Sequence, residues 1–347
     1  MKILHLAAGN RWTGAAAPAF AEVEALRAAG VDAHYAYVGG YKLEAKIGHH
    51  DFAHPLIRKA QNPVSFARSV QAVDTLVHRH GFDVVHAHLT YDHWLARLVA
   101  RNHPFRIART FHARRVLRND PLSRALLGGT RHRFVVNADF LDTVRGAHFT
   151  PPPVDHRQFS PDGSSARALY DIASDETLVT VIGKLSAGRG FEEALLTFAV
   201  LRHLTPCRMM IIGHGEHRPV LEALTRELDV QREVIWAGYH EEDLAEHFRA
   251  SDLLLFTARG SDEGHRAILE AMACGVPVAT YPLEGVRALV SAESVAADRS
   301  PESLATTAAA LLASDRHTLR AAHERSLDFG YDRAAARLIA VYDGLVQ

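Results

Sequence analysis

Short apolar runs and amphipathic stretches alternate along the whole chain. The first run, ILHLAA at 3–8, precedes a helically spaced stretch from about Ala16 to Ala29, with Gly30 placed to end it. VDAHYAYV (31–38) alternates as a strand. A helix at about 64–80 leads through Gly81 to FDVVHAHL (82–89), another helix leads to FRIARTFH (105–112), and HRFVVNA (132–138) is a further strand. The rhythm then restarts. TLVTVIGK (177–184), CRMMIIG (207–213), EVIWAG (233–238), DLLLFTA (252–258) and VPVATY (276–281) read as strands, separated by helices at 190–203, 216–229, 241–250 and one opening near 265. Near-continuous apolar strands between amphipathic helices indicate parallel sheets covered on both faces. The fold class that follows is α/β, with two Rossmann-like doubly wound domains.

Between the two series lies TPPPVDHRQFSPDG (150–163). Its three consecutive prolines suit a stiff connector and no regular element. The expected segments are 1–155, 156–328 and a C-terminal amphipathic helix in 329–347 that packs back on the first domain. A length of 347 residues agrees with two domains. Ligands of open parallel sheets bind beyond the carboxyl ends of the strands, so the loops after each strand carry the candidate chemistry.

Composition narrows the picture. A formal net charge of −1 with 48% hydrophobic residues describes an ordinary globular chain and gives no reason to expect nucleic acid. Cys207 and Cys274 lie in apolar settings and read as reduced core residues, with the cytoplasm as the default compartment. No apolar run has the length of a membrane span, and MKILHLAAG is too short for a signal sequence. Between Arg101 and Arg133, however, nine arginines face one acid, Asp120. That excess suits either solvated helix faces or peripheral contact with an anionic acceptor or the inner face of a membrane. His86 and His88 share a strand face with His93 nearby, yet no Cys/His zinc spacing occurs, and no metal is expected.

The loops carry the sharper signals. GKLSAGRG (183–190) brackets a glycine turn with Lys184 and Arg189 and opens a helix, an arrangement suited to a diphosphate. It is neither a Walker loop nor a Gly-x-Gly-x-x-Gly fingerprint. GHGE (213–216), with Gly213 and Gly215, and AGYHEEDL (237–244), with Tyr239 able to stack on a base, are two more strand-to-helix turns. In SDEGHRAILEAMACGVPVAT (261–280), Glu270 sits on a helix and could accept both hydroxyls of a ribose, or could be a solvated helix residue.

These stretches together resemble the family-4, group-1 retaining glycosyltransferases of GT-B fold. EGHRAILEAMACGVPVAT is similar to the family's signature, and VIGKLSAGRGFEEAL to its cationic turn with Lys and Arg exchanged. IIGHGEHRPVLEAL, VIWAGYHEEDLAEHFRASDLLLFTA and PPPVDHRQFSP also follow its pattern. The resemblance implies two domains facing a cleft, the first binding the acceptor and the second the nucleotide-sugar donor. It implies that Lys184 and Arg189 hold the donor diphosphate and act in catalysis. Glu270 would take the ribose, while Glu263, with Gly264, His265, Arg266, Ala267 and Ile268, would meet the transferred sugar. The family's usual spacing between its two glutamates is one longer than the six residues separating Glu263 and Glu270; Asp262 has the spacing but not the residue type, and Glu263 is preferred because Gly264 follows it. His265 and Arg266 replace a Phe-Gly pair. In the first domain WTGAAAP keeps Gly14 and substitutes Ala15, and ARTFHARR places His112 beside the donor sugar.

The implied reaction is transfer from a UDP- or GDP-sugar to a saccharide or lipid-linked acceptor, without a cofactor, in cell-surface polysaccharide or glycolipid assembly. Two alternatives share the architecture: a non-catalytic nucleotide-sugar-binding protein and a nucleotide-sugar epimerase.

Overall fold

The structure, a computed structural model, describes residues 1–9, 12, 14–59, 62–114, 120–258, 265–314 and 316–344, the side chains of 316–319 excepted. The chain divides into two compact units, Met1–Pro153 with Phe329–Gln347, and Val154–Asp328.

The first unit runs β1 (Lys2–Ala7), α1 (Ala16–Ala28), β2 (Asp32–Val38), α2 (Lys42–Ile47), β3 (Ala53–Ile57), α3 (Pro63–His80), β4 (Val84–Ala87), α4 (Thr90–Val99), β5 (Arg106–Phe111), α5 (Pro121–Leu127), β6 (Thr130–Val135) and β7 (Ala147–Phe149). Its seven strands are ordered β3-β2-β1-β4-β5-β6-β7 and pair in parallel. Crossover helices cover both faces, so β1 and β2 are buried at every position after their first residue. The alternation expected of β2 therefore does not sort it into wet and dry faces. Its polar His34 is hydrogen-bonded to His54 and Asp32 instead.

Local signals set the helix ends. Asn62 accepts from the Ser65 N–H at 2.8 Å while Ser65 Oγ accepts from the Asn62 N–H, and Pro63 follows the cap; Gly81 ends the same helix at φ 63°.

The second unit runs β8 (Leu178–Ile182), α6 (Phe191–Leu204), β9 (Arg208–Ile212), α7 (Arg218–Glu227), β10 (Val234–Gly238), α8 (Leu244–Ala250), β11 (Leu253–Phe256), α9 (Arg266–Ala273), β12 (Val278–Thr280), α10 (Pro301–Leu312) and α11 (Arg316–Ser326). Its parallel sheet is ordered β10-β9-β8-β11-β12. The last helix, α12 (Tyr331–Tyr342), belongs to the first unit, where Ala334, Ala335, Leu338, Val341 and Tyr342 join the core of β1, β2 and α1. No helix among the described residues is long and apolar enough to cross a membrane.

Candidate functional site

Parallel strands send all their carboxyl ends to one edge, and in the second unit four loops meet there. The loop after β8 touches the loop after β9 through Leu185 N–H to His214 O and His217 N–H to Leu185 O, both 3.0 Å. On its other side it meets the loop after β11, where Thr257 Oγ1 donates to Gly190 O at 2.7 Å. Glycines make these approaches possible. A Cβ on Gly213 would stand 1.8 Å from Gly183 O, one on Gly215 2.0 Å from Leu185 O, and one on Gly190 2.1 Å from Thr257 O. Here the missing side chains admit protein backbone, whereas Gly188, at φ 72°, meets nothing within 4 Å.

This knot of loops carries the two cations. Lys184 is exposed, with Nζ 3.7 Å from Glu216 Oε2. Arg189 is half-buried and lines a small pocket with Phe191, Phe256, Thr257 and Ala258. Tyr239, after β10, lies exposed with its ring edge against His214 at 5.1 Å and its hydroxyl donating to Glu241 at 2.8 Å. Burial and the Glu241 carboxylate push that phenol up to about 12.

The fourth loop leads into α9. Asp262, Glu263 and Gly264 lie outside the described residues. His265 caps the helix in the left-handed region at φ 50°. Its ring is buried against Phe256, and its Nε2 bonds to Glu284 O at 2.8 Å, while its Nδ1 is buried without a hydrogen-bond partner among the described residues. Arg266 and Ala267 occupy the first turn, where N–H groups have no intrahelical acceptor. Ile268 is wholly buried. Glu270 is 8% exposed and paired with Arg266, Nε to Oε1 3.2 Å, so it is not a solvated helix residue. The charge of Arg266 partly opposes the upward push on the Tyr239 phenol.

In the first unit Gly14 lies in the turn before α1, and His112 follows β5. Trp12 packs its ring against Phe20 at 5.7 Å beneath Lys46. His112 Nε2 is 3.0 Å from His88 Nδ1. Burial first, then the charge of Arg109, pushes His112 down to about 3, against a smaller opposing contribution from the Gly14 backbone. His88 continues inward to His5, and His86 bonds to Tyr342 and Thr110. Burial lowers all three, His5 to about 3 and His86 and His88 well below the ordinary imidazole value. Glu22, pushed up to about 8 by burial, completes the cluster. His93 stands apart, bonded to Thr130 at 2.7 Å. Sequence reasoning missed Glu22, although it shares a 3–4 spaced stripe with the buried Ala19, Val23 and Leu26.

The basic region is less uniform than its sequence. Arg106 donates to Tyr342 O, Arg109 is buried over the Phe111 ring, Arg114 pairs with Asp142 and Arg133 donates to Arg145 O. Arg101, Arg124 and Arg131 are exposed, and Arg115 and Arg118 lie outside the described residues. Both cysteines are buried and unbridged, their thiols pushed up to about 12 by burial.

Residues 165–326 match the family described as "Glycosyl transferases group 1". A D-inositol 3-phosphate glycosyltransferase of Xylanimonas cellulosilytica is 28% identical over 306 residues, 75% of this chain and 72% of that protein. Among solved structures, a glycosyltransferase from Rickettsia africae superposes with TM-score 0.84 at 15% identity, covering 99% of this chain and 98% of that one. The Anabaena protein HepE in complex with UDP follows at 0.79 and 14%, covering 99% and 100%. Residues 165–326 match the group 1 glycosyl transferases over just under half of the chain, and the chain has the GT-B fold of its glycosyltransferase neighbours.

Proposed function

We propose that the chain transfers a sugar from a UDP- or GDP-linked donor to a hydroxyl of a saccharide or lipid-linked acceptor, with retention at the anomeric carbon. One observation carries this reading: four loops interlock at one sheet edge, with Lys184 and Arg189 on the central one and the buried Glu270 on the helix that follows its neighbour.

Breaking the bond to the sugar leaves a nucleoside diphosphate with growing negative charge. Lys184, Arg189 and the N-terminal turn of α9 are assigned to stabilise it, as fixed charges and dipoles do in other leaving-group sites. Loss of one such group costs about 3 kcal/mol of barrier, roughly a hundredfold in rate. No metal is assigned to the diphosphate. Glu270 accepts the ribose hydroxyls, Glu263 and the backbone that follows it contact the transferred sugar, and His112 is assigned to the same sugar. No separate general base is assigned: the departing phosphate oxygen accepts the proton of the attacking hydroxyl on the same face. The first unit supplies the acceptor site.

Calorimetry with UDP and GDP tests the assignment. Lys184→Ala and Arg189→Ala are expected to weaken binding while the circular dichroism of the fold is unchanged. Undiminished affinity in both variants overturns the site. Conversion of the donor sugar to its epimer without acceptor assigns the protein to the epimerases instead.

A further inference from the structure

Outside the donor loops, the first unit encloses three ligand-type side chains brought together from three elements: His5 of β1, Glu22 of α1 and His88 just beyond β4. His5 Nδ1 and His88 Nε2 are 2.9 Å apart, and Glu22 Oε2 lies 3.6 Å from the first and 3.7 Å from the second. A triangle with those edges has a circumscribed radius of about 2.0 Å, so a single point lies at Zn–N and Zn–O bonding distance from all three atoms. None of the three residues is more than 1% exposed.

Glu22 Oε2 supplies an independent observation. It has no hydrogen-bond partner among the described residues, although it is enclosed and aimed between the two imidazoles. A buried carboxyl oxygen left in that state is unfavourable, and a cation between the imidazoles would supply the missing partner. The outer nitrogens of the two rings point the same way. His5 Nε2 is 3.4 Å from Tyr342 Oη, and His88 Nδ1 is 3.0 Å from His112 Nε2. If each outer nitrogen donates its proton there, the facing nitrogens both present lone pairs across 2.9 Å. In that tautomer a cation between them takes the place of the proton that otherwise joins the two rings, and outward donation by metal-ligating imidazoles is the usual outer arrangement of such a site. His86 stacks on His88 and lies tilted against His5, but its nitrogens are taken by Tyr342 Oη at 2.6 Å and Thr110 Oγ1 at 2.7 Å, so it walls the site.

We propose that His5, Glu22 and His88 bind one divalent transition-metal ion of the zinc class, a choice that follows from the two imidazoles and one carboxylate. The ion fixes the tautomer of His88, and through it the ring of His112. The binding site stands on its own geometry; only the consequence for the sugar at His112 rests on the transferase reading.

Purified full-length chain, stripped with chelator and titrated with Zn²⁺ and then Co²⁺, tests this without reference to activity. One equivalent should bind, and Co²⁺ should give the visible bands of a low-coordinate nitrogen and oxygen site. Glu22→Gln is expected to weaken Zn²⁺ binding at least about a hundredfold, and Tyr342→Phe, which removes the outer acceptor of His5 together with a partner of His86, by about 10–100-fold. His240→Ala, in the separate cluster of His240, Asp243 and His247, should leave that equivalent in place. Should the Glu22 variant fail to fold, stoichiometry and the Co²⁺ spectrum of the wild-type chain decide. Folded wild-type chain that takes up neither ion, or an equivalent lost with His240→Ala and kept with Glu22→Gln, overturns the proposal.

Discussion

Glu270 shows how far a single residue can be read. From sequence it could be a ligand for a diol or a solvated acid; the structure buries it and sets Arg266 against it at 3.2 Å. A carboxylate there has acceptor capacity beyond one guanidinium N–H, and two sugar hydroxyls would use it. Glu270→Gln is expected to lower the affinity for UDP or GDP by about tenfold to a hundredfold, the range of hydrogen bonds to charged groups, about 1.5–3 kcal/mol. The loss should vanish with the 2′,3′-dideoxy nucleotide, since that ligand never made the bonds. Equal losses with both ligands would mean that the substitution merely disturbed α9. The position of Lys184 and Arg189 in the turn after β8 was legible because a glycine turn between a strand and a helix names its own place. Glu22 was not, because one acid among the alanines of α1 looks like any surface residue until the turn of the helix is known.

At the scale of elements, the central strands announced themselves and the edges did not. All five strands of the second unit follow from apolar runs, but in the first unit β3 and β7 escape the pattern. These are the two edges of the seven-stranded sheet. An edge strand pairs on one side only and tolerates breakers, and β3 contains Pro55. The glycine turns were legible as turns, while their physical use was not, since the sequence does not say which backbone comes close. Gly213→Ala places a Cβ 1.8 Å from Gly183 O at φ 145°, so the β8 and β9 loops must part. It is expected to destabilise the second unit by about 3 kcal/mol or more, as strain at a special backbone position does. Gly188→Ala at φ 72° meets open space and should cost only about 1–2 kcal/mol, the ordinary left-handed penalty. Urea unfolding of the two variants checks the order, and equal midpoints would refute the loop-packing account.

For the whole molecule, both the pH response and the division into units follow from what is buried. His93 is enclosed and pushed down to about 3, chiefly by burial and then by Arg109, Arg97 and Arg133. Between its ordinary value of 6.5 and 3 the unfolded chain binds a proton that the native ring refuses, so stability falls as pH falls across that window. The slope reaches at most about 1.4 kcal/mol per pH unit. His93→Gln should flatten the decline of the urea midpoint from pH 6.5 to 4.5, and an unchanged slope would reject the assignment. The units themselves differ in how the chain builds them. The buried hydrophobic residues described in the second unit all lie between Val154 and Leu311, whereas the first borrows Leu338, Val341 and Tyr342 from the far end of the chain. Burying those three contributes about 1.5–3 kcal/mol each, comparable with the whole stability of a domain at about 5–15 kcal/mol. Residues 1–153 alone are therefore expected to lack a cooperative unfolding transition and to regain it when 329–347 is joined by a flexible linker. Residues 154–328 should fold alone and, because Lys184, Arg189 and Glu270 all lie in them, retain measurable binding of UDP or GDP. A fragment 1–153 that unfolds at the same midpoint with and without the terminal segment would show that α12 decorates the first unit without completing it.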